Sequence, residues 1–157
     1  MKPDRELAER ISVLADTIWH ECYASVLEKG QIDYMLRTYH SADAMLREMS
    51  EGYDFFVVTD GGKDAGYYSV HDEGGRLYIS KVYLLKECRG RGLGKRMFSD
   101  IDSYAMEHGL HEEYLRVNKG NPTVEIYKRS GFSITDTVTS DIGNGYVMDD
   151  YVMTKRL

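Results

Sequence analysis

The sequence predicts an α/β (α+β) fold in which a mixed, mostly antiparallel β-sheet is flanked by helices. Three observations carry this prediction. Apolar residues recur at helical spacing through the first third of the chain. Short strand patterns separated by glycine-rich turns come next. A further strand then leads through another glycine-rich turn into an amphipathic helix, an order of elements typical of a sheet covered by helices.

Three helices are predicted ahead of the first strand. The helical periodicity over residues 4–27 predicts one amphipathic helix that ends at Gly30. Ser41 is a candidate N-cap for a third helix, which stops near Gly52. The second helix, between these two, has one apolar face formed by Ile32, Met35, Leu36 and Tyr39.

A three-stranded meander is predicted after these helices. Its strands cover residues 54–59, 65–71 and 76–85, and turns with adjacent glycines separate them. An amphipathic helix then begins near Leu93 and closes at Gly109. The remaining predicted elements are a strand at 113–117, a helix that begins at Pro122 and ends at Gly131, and strands at 132–139 and 146–155.

Length and composition predict one intracellular domain. A chain of 157 residues can bury a core without metals or disulfides, so we expect a single domain over residues 1–157. Cys22 and Cys88 lie far apart and lack ligand-like spacing to histidines, which favours reduced thiols and no metal site. No apolar run approaches the length of a membrane span, so we expect a soluble, cytoplasmic protein without a membrane partner.

Basic charge is concentrated in one short segment. Residues 81–96 carry six cations and one acid, which leaves 14 cations and 25 acids, or a charge of −11, in the rest of the chain. The acidic remainder argues against a nucleic-acid partner. A local basic cluster instead favours a small ligand that carries several phosphate charges.

The most informative motif lies inside this basic segment, at the turn formed by residues 89–94. Glycines there let backbone N–H groups approach an anion, and the following helix adds unpaired donors and a positive dipole end. The turn fits neither a Walker loop nor the dinucleotide fingerprint, because its glycines are spaced differently. A different phosphate ligand is therefore implied.

The pattern of Arg89, Gly92 and Gly94 resembles the acetyl-coenzyme A loop of the Gcn5-related N-acetyltransferases (GNAT). The downstream segments 115–118, 121–122 and 126–132 are similar to the family's next strand, the following helix and its Y-x-x-x-G-F ending. The resemblance implies a GNAT fold and transfer of an acetyl group from acetyl-coenzyme A to a primary amine. Members usually open with a β-strand, and the sequence leaves open whether that strand is present here.

The resemblance also implies which residues bind the cofactor. The main chain of residues 82–84 would pair with the pantetheine amides, and a backbone N–H near Leu84 would polarise the thioester carbonyl. Amides and cations of the glycine turn would hold the pyrophosphate. The residues assigned to acetyl-coenzyme A are Val82, Tyr83, Leu84, Arg89, Gly90, Arg91, Gly92, Leu93, Gly94, Lys95, Asn118 and Asn121.

Tyr127 matches the family's tyrosine that donates a proton to the departing thiolate. A phenol with an ordinary pKa near 10 stays protonated at neutral pH, which suits this role. The base that deprotonates the amine is less evident, because Ser80 stands where many members carry a glutamate. Candidates acting directly or through water are Asp33, Tyr34, His40 and Asp149.

Two further segments, one from Trp19 to Ser41 and one over residues 141–153, are similar to a bacterial subgroup that includes PaiA-type polyamine acetyltransferases. This similarity implies a small cationic amine as the acceptor. Aromatic side chains could line its cleft, and the candidates are Trp19, Tyr34, Tyr83 and Tyr146.

Two other functions stay open. One is acetylation of a protein N-terminus or lysine, and the other is a non-catalytic acyl-coenzyme A sensor, which would need no proton donor such as Tyr127. Dimers are common in the resembled family, and the sequence leaves the oligomeric state open.

Overall fold

A computed structural model of the chain describes residues 1–25 and 27–157. Its helices are α1 (Arg5–Tyr23), α2 (Lys29–Tyr39), α3 (Ala42–Ser50), α4 (Leu93–Glu107) and α5 (Thr123–Arg129), with a 3₁₀ turn at Lys86–Cys88. Its strands are β1 (Asp54–Asp60), β2 (Lys63–Asp72), β3 (Leu77–Leu84), β4 (Glu112–Asn118), β5 (Ser133–Gly143) and β6 (Tyr146–Arg156). Among the described residues α1 is the first element, and no strand precedes it.

The three N-terminal helices are present, but the first one is shorter than predicted. α1 ends at Tyr23, and Gly30 lies inside α2 instead of ending the first helix. The chain turns after Tyr23 because Ile32 on α2 has to enter the same core as the apolar face of α1. Gly30 serves a different purpose, since a Cβ atom there would lie 2.6 Å from the hydroxyl oxygen of Tyr146.

Side-chain caps explain where two of these helices begin. The carboxylate of Asp4 accepts a hydrogen bond from the backbone N–H of Leu7 at 3.1 Å, which starts α1. The predicted cap at Ser41 is confirmed, because its hydroxyl accepts from the N–H of Ala44 at 3.2 Å at the start of α3.

The strands form one six-stranded sheet with the order β1-β2-β3-β4-β6-β5. Four of the five neighbouring pairs are antiparallel, including the predicted meander β1-β2-β3, and only β3 and β4 run parallel. The parallel pair forms because α4 crosses between these strands. This architecture confirms the predicted fold class.

The sheet separates two apolar cores. One face packs against α4 and α5 around Ile79, Met97, Ile101 and Leu115. The opposite face packs against α1, α2 and α3 around Trp19, Tyr67 and Met45. The candidate site described below lies where the sheet opens between these two layers.

Candidate active site

The sheet opens between its two parallel strands. β3 and β4 pair at three positions, from Leu77 with Glu113 to Ile79 with Leu115, and diverge beyond them. The divergence begins at Ser80, which is an extra residue on β3 because Ser69 pairs with Lys81 and Val70 pairs with Ile79. The bulge and the missing pairs leave the edge of β3 after Ile79 unpaired with β4, so that edge can accept another chain-like ligand.

A cavity of about 220 Å³ runs from this opening to the start of α4. The predicted cofactor residues that line it are Val82, Tyr83, Leu84, Arg89, Gly90, Gly92, Gly94, Lys95 and Asn121. Tyr127 lines it as well, together with Cys22, Met97, Phe98, Thr123 and Ile126. We call this space the cofactor cavity.

The glycine turn at the end of the cofactor cavity has the geometry of an anion site. Gly90 and Gly92 have φ angles of +78° and +81°, a conformation that favours glycine. Gly92 is the N-cap of α4 and has no side chain to satisfy the first N–H groups of that helix. A Cβ atom at either glycine would meet nothing within 4 Å, so open space lies beside these donors. The turn therefore fits a phosphate group.

The predicted cofactor cations have different surroundings. Lys95 lines the cavity, whereas Arg91 is paired with the carboxylate of Asp60 at 2.9 Å and does not border it. Arg89 donates to the carbonyl oxygen of Leu84 at 3.3 Å and to the sulfur of Cys22. Leu93 is buried in the core beneath the turn and is also absent from the cavity wall.

Tyr127 lies on α5 with its ring against Phe98 and is 7% exposed. Burial raises the pKa of its phenol to about 12, and only smaller effects from neighbouring groups oppose this shift. The phenol is therefore protonated at neutral pH, at the wall that the cofactor cavity shares with the space between β3 and β4.

The two predicted asparagines lie on different sides of this opening. Asn121 borders the cofactor cavity, and its side-chain amide donates to the hydroxyl oxygen of Tyr23 at 3.3 Å. Asn118 instead borders a second cavity, and its side-chain oxygen accepts from the N–H of Gly120 at 2.9 Å. Tyr23 was not predicted as a site residue, because no motif marks it and its contact with Asn121 forms only in the fold.

The second cavity, of about 320 Å³, lies on the sheet face covered by α1, α2 and α3. Its aromatic walls come from Trp19, Tyr23, Tyr39, Tyr53, Tyr78 and Tyr83. Tyr83 borders this cavity, the cofactor cavity and the narrow space between β3 and β4 that joins them. We call this second space the acceptor cavity, since a molecule in it would face the opening from the side opposite α5.

The ionisable side chains of the acceptor cavity include one buried ion pair. The Lys81 ammonium is 4% exposed and donates to both carboxylate oxygens of Glu48, at 2.8 and 3.0 Å. Burial lowers the pKa of Lys81, and the Glu48 charge partly opposes that shift. His40 is buried as well, and burial, assisted by the Lys81 charge, holds its pKa well below the ordinary value. Arg116 and Asp150 complete the charged lining.

Trp19 and Tyr83 line the acceptor cavity as expected, but Tyr34 and Tyr146 do not. Their rings pack against each other, with centroids 5.5 Å apart, and join α2 to the β5–β6 hairpin. The Tyr34 hydroxyl is used by a bond of 2.7 Å to the carbonyl oxygen of Ile142. Tyr34 and Tyr146 therefore hold α2 against the β5–β6 hairpin and do not line the acceptor cavity.

Of the base candidates, only His40 reaches the acceptor cavity. Asp33 lies 3.3 Å from the His20 ring on the outer surface, and Asp149 is exposed and paired with Lys119 at 3.0 Å. Sequence reasoning missed Glu48 and Asp150, which do line the cavity. Strand alternation could have found Asp150, since adjacent strand residues face opposite sides of a sheet.

Two absences apply to the described part of the chain. Residues 1–25 and 27–157 contain no group of three or more His, Cys, Asp or Glu side chains arranged to hold a metal ion. Within the same residues, no helix has both the length and the apolar character needed to cross a membrane.

Sequence comparison shows the family. A model described as an acetyltransferase (GNAT) domain matches residues 23–154, so the chain belongs to the GNAT acetyltransferase family. Two curated relatives are L-methionine sulfoximine/L-methionine sulfone acetyltransferases, from Pseudomonas paraeruginosa and Pseudomonas aeruginosa. Each is 32% identical over 92 residues, which cover 54% of this chain and 54% of the relative. The chain thus spans about half the length of the curated relatives it matches.

Solved structures share the whole architecture. A PaiA N-acetyltransferase from Thermoplasma acidophilum in complex with coenzyme A has a TM-score of 0.84 at 20% identity, covering 100% of this chain and 97% of that one. A GCN5-related N-acetyltransferase from Rhodopseudomonas palustris has a TM-score of 0.82 at 17% identity, with coverages of 97% and 91%. A GNAT acetyltransferase from Elizabethkingia anophelis with acetyl-CoA bound has a TM-score of 0.58 at 14% identity, with coverages of 89% and 88%. These identities show the fold alone.

Proposed function

We propose that the chain transfers the acetyl group of acetyl-coenzyme A to a small primary amine by direct attack. The observation that carries this proposal is the divergence of β3 and β4. It joins the cofactor cavity, which ends at the glycine turn, to the acceptor cavity on the opposite face of the sheet. Two of the solved structures that share this fold contain coenzyme A or acetyl-CoA, which supports the same ligand. The bound thioester supplies an activated acetyl group, and residues of the chain hold that group in position for attack by the amine.

Each wall of the cofactor cavity has one task in this proposal. The N–H groups of the glycine turn and the Lys95 ammonium hold the pyrophosphate. The unpaired edge of β3 near Val82 and Leu84 holds the pantetheine arm and offers an N–H group to the developing oxyanion. Tyr127 is protonated at neutral pH, and it donates that proton to the leaving thiolate.

The acceptor cavity favours a compact amine. Lys81 already neutralises Glu48, so Asp150 is the one carboxylate of this lining without an ion-pair partner among the described residues, and Arg116 adds an exposed cation to the same wall. A cation beside an amine site suits an acceptor that also bears a carboxylate. The named substrates of the curated relatives, derivatives of an amino acid, agree with this choice.

A polyamine is the second candidate acceptor. The six aromatic side chains of the cavity suit a flexible cation, and the PaiA neighbour shares the fold along the full chain. Acetylation of a protein N-terminus or lysine is less well supported, because α1, α2 and α3 cover the cavity. We propose a cytoplasmic location for the chain. We also propose that residues 1–157 form one domain.

Thiol release from acetyl-coenzyme A tests this function against a panel of amino acids, methionine sulfoximine, polyamines and peptides. We expect turnover with at least one small amine. The variant Tyr127→Phe should lower kcat roughly 100-fold, because it removes the proton donor while leaving the ring in place. Its affinity for coenzyme A, measured by calorimetry, should change less than about threefold, since the phenol acts on the leaving thiolate.

Tyr68→Phe is the matched control, because Tyr68 is also a buried tyrosine but borders none of the three cavities. This variant should keep wild-type turnover. Coenzyme A binding without turnover of any amine would instead support the sensor function.

A further inference from the structure

Two adjacent carboxylates on β6 face opposite sides of the sheet. Asp150 pairs in register with Asn118 of β4 and, like Asn118, borders the acceptor cavity. Asp149 points the other way, where it is exposed and held by Lys119 at 3.0 Å and by the hydroxyl of Thr139 at 3.1 Å. Only one member of the pair can therefore contact a molecule in the acceptor cavity.

Asp150 also differs from the other carboxylate of that cavity in what its oxygens do. Both oxygens of Glu48 accept hydrogen bonds from Lys81. By contrast, Oδ1 of Asp150 is buried and has no hydrogen-bond partner among residues 1–25 and 27–157. A buried carboxylate oxygen without a donor is costly unless a ligand or water supplies one. Asp150 borders the acceptor cavity and forms no ion pair with any described residue, so its carboxylate is available to an acceptor amine.

The electrostatic surroundings of Asp150 keep it able to exchange a proton near neutral pH. The pKa of Asp150 is raised to about 6: burial is the largest effect, Arg116 and Lys119 oppose it, and Asp149 adds to it. The other ionisable side chains of the same cavity, besides Arg116, are Lys81, Glu48, His40 and the five tyrosines Tyr23, Tyr39, Tyr53, Tyr78 and Tyr83. Lys81 and Glu48 neutralise each other, and His40 stays uncharged.

His40 is a weaker candidate for the same task. Its Nδ1 lies 3.1 Å from the hydroxyl of Tyr67, and the ring is 5% exposed. Burial and the Lys81 charge hold its pKa well below the ordinary value, so its neutral ring binds a proton poorly. Glu48 is unsuitable for a different reason, since Lys81 occupies both of its oxygens.

We propose that Asp150 is the general base of the transferase, a role that rests on the function proposed above. The acceptor enters as an ammonium, and Asp150 takes one of its protons, directly or through one water, and later releases that proton to solvent. The freed lone pair forms the C–N bond to the acetyl carbon while the C–S bond breaks. Tyr127 protonates the thiolate, and its phenolate then takes the surplus proton from the positively charged nitrogen of the new amide, which keeps one N–H.

The pH dependence of kcat/KM tests this assignment with the acceptor found in the thiol-release panel. In the wild type, kcat/KM should fall about tenfold per pH unit below roughly pH 6, as Asp150 becomes protonated. Asp150→Asn should lower kcat at pH 7 by roughly 100-fold and change KM less than about threefold. It should also abolish the fall of kcat/KM below about pH 6, which we call the acidic limb. Asp150→Glu should keep the limb with reduced kcat, because the carboxylate is retained.

Asp149→Asn is the matched control, with the same chemical change one residue away. It should keep kcat at pH 7 and still show a fall in kcat/KM at low pH, moved slightly to lower pH because the Asp149 charge raises the pKa of Asp150. Coenzyme A affinity and thermal unfolding establish that each variant folds. An active wild type together with an Asp150→Asn variant that keeps kcat and the acidic limb overturns the base assignment alone. A rise in KM with unchanged kcat also overturns it, since that would make Asp150 a binding residue. A wild type that turns over no amine overturns the proposed function and this role with it.

Discussion

At the scale of single residues, the buried carboxyl group of Glu113 on β4 has an unusual environment. It is 0% exposed, and neither of its side-chain oxygens has a hydrogen-bond donor among the described residues. Oδ1 of its neighbour Asp102 on α4 is in the same situation, although Lys155 donates to the other Asp102 oxygen at 2.8 Å. Two facing carboxyl groups can be satisfied together only if they share a proton. Burial, and then Asp102, raise the pKa of Glu113 well above its ordinary value.

This raised pKa predicts a stability that falls as the pH rises. Above about pH 4.5 an unfolded Glu113 loses its proton while the folded one keeps it, so the unfolded state gains relative to the folded state. The contribution is fully present below about pH 4.5 and is lost as the pH rises to neutral and beyond. We expect Glu113→Gln to remove up to about 1.4 kcal/mol per pH unit of that slope, measured by urea unfolding at several pH values.

Glu112→Gln is the control for this prediction, because Glu112 is the neighbouring residue on the opposite face of β4 and is only partly buried. It should keep the wild-type slope. Equal slopes for the wild type and Glu113→Gln would show that the two carboxyl groups do not hold a proton.

At the scale of elements, one ion pair joins α3 to β3 beside the acceptor cavity. Lys81 and Glu48 belong to different layers of the fold, and their polar atoms meet in a place where the ammonium is almost completely buried. A buried charge that loses its partner is strongly destabilising, whereas replacement of both partners by apolar residues often costs little. The contact between α3 and β3 should therefore tolerate replacement of both Lys81 and Glu48 better than replacement of one of them.

We expect Glu48→Gln to lower the free energy of unfolding by about 3 kcal/mol, because Lys81 then remains buried without a counter-charge. The double variant Glu48→Leu/Lys81→Met should recover most of that loss. Urea unfolding measures both. Removing the exposed pair of Glu125 and Lys128 should change stability by less than about 1 kcal/mol. A single variant as stable as the wild type would mean that water reaches the Lys81 ammonium.

At the scale of the whole molecule, charge is distributed so that an anion is attracted to one end of the cofactor cavity. The chain carries a net charge of −6, yet six of its cations lie between residues 81 and 96. The structure uses these cations differently, because Arg91 and Lys81 are engaged by carboxylates while Lys95 borders the cavity. These charges should therefore strengthen the binding of the coenzyme A phosphates, and that contribution should weaken as the salt concentration rises.

Calorimetry at increasing salt concentration tests this distribution. Between about 0.1 M and 1 M salt the screening length falls from about 10 Å to about 3 Å, so coenzyme A should bind several-fold more weakly. Pantetheine, which lacks the phosphates, should show little change. Lys95→Ala should reduce the salt dependence for coenzyme A, and Lys128→Ala, at a residue that does not line the cavity, should not. Identical salt dependence for coenzyme A and pantetheine would contradict the prediction that the glycine turn binds phosphate.

The architecture could be predicted from the sequence because its signals are local. Helical and strand periodicity, turn glycines and the Ser41 cap act within a few residues of each other, and they correctly predicted the order and type of the elements. The boundary of α1 was wrong, because the turn after Tyr23 is set by packing of α2 and not by Gly30. The glycine turn, the strand before it and Tyr127 were local enough in sequence to be recognised as one group.

The composition of the acceptor cavity was decided by tertiary structure. Tyr23, Glu48 and Asp150 come from α1, α3 and β6, and no spacing along the chain relates them. The same is true of the opening between β3 and β4, since its width depends on a bulge and on the strand pairing that stops at Ile79. The sequence by itself determined the order and type of the elements and the family, and it predicted the glycine turn as an anion site. Long-range packing decided which of two adjacent aspartates faces the cavity and which tyrosines line it, because side chains distant in sequence meet only after the sheet has formed.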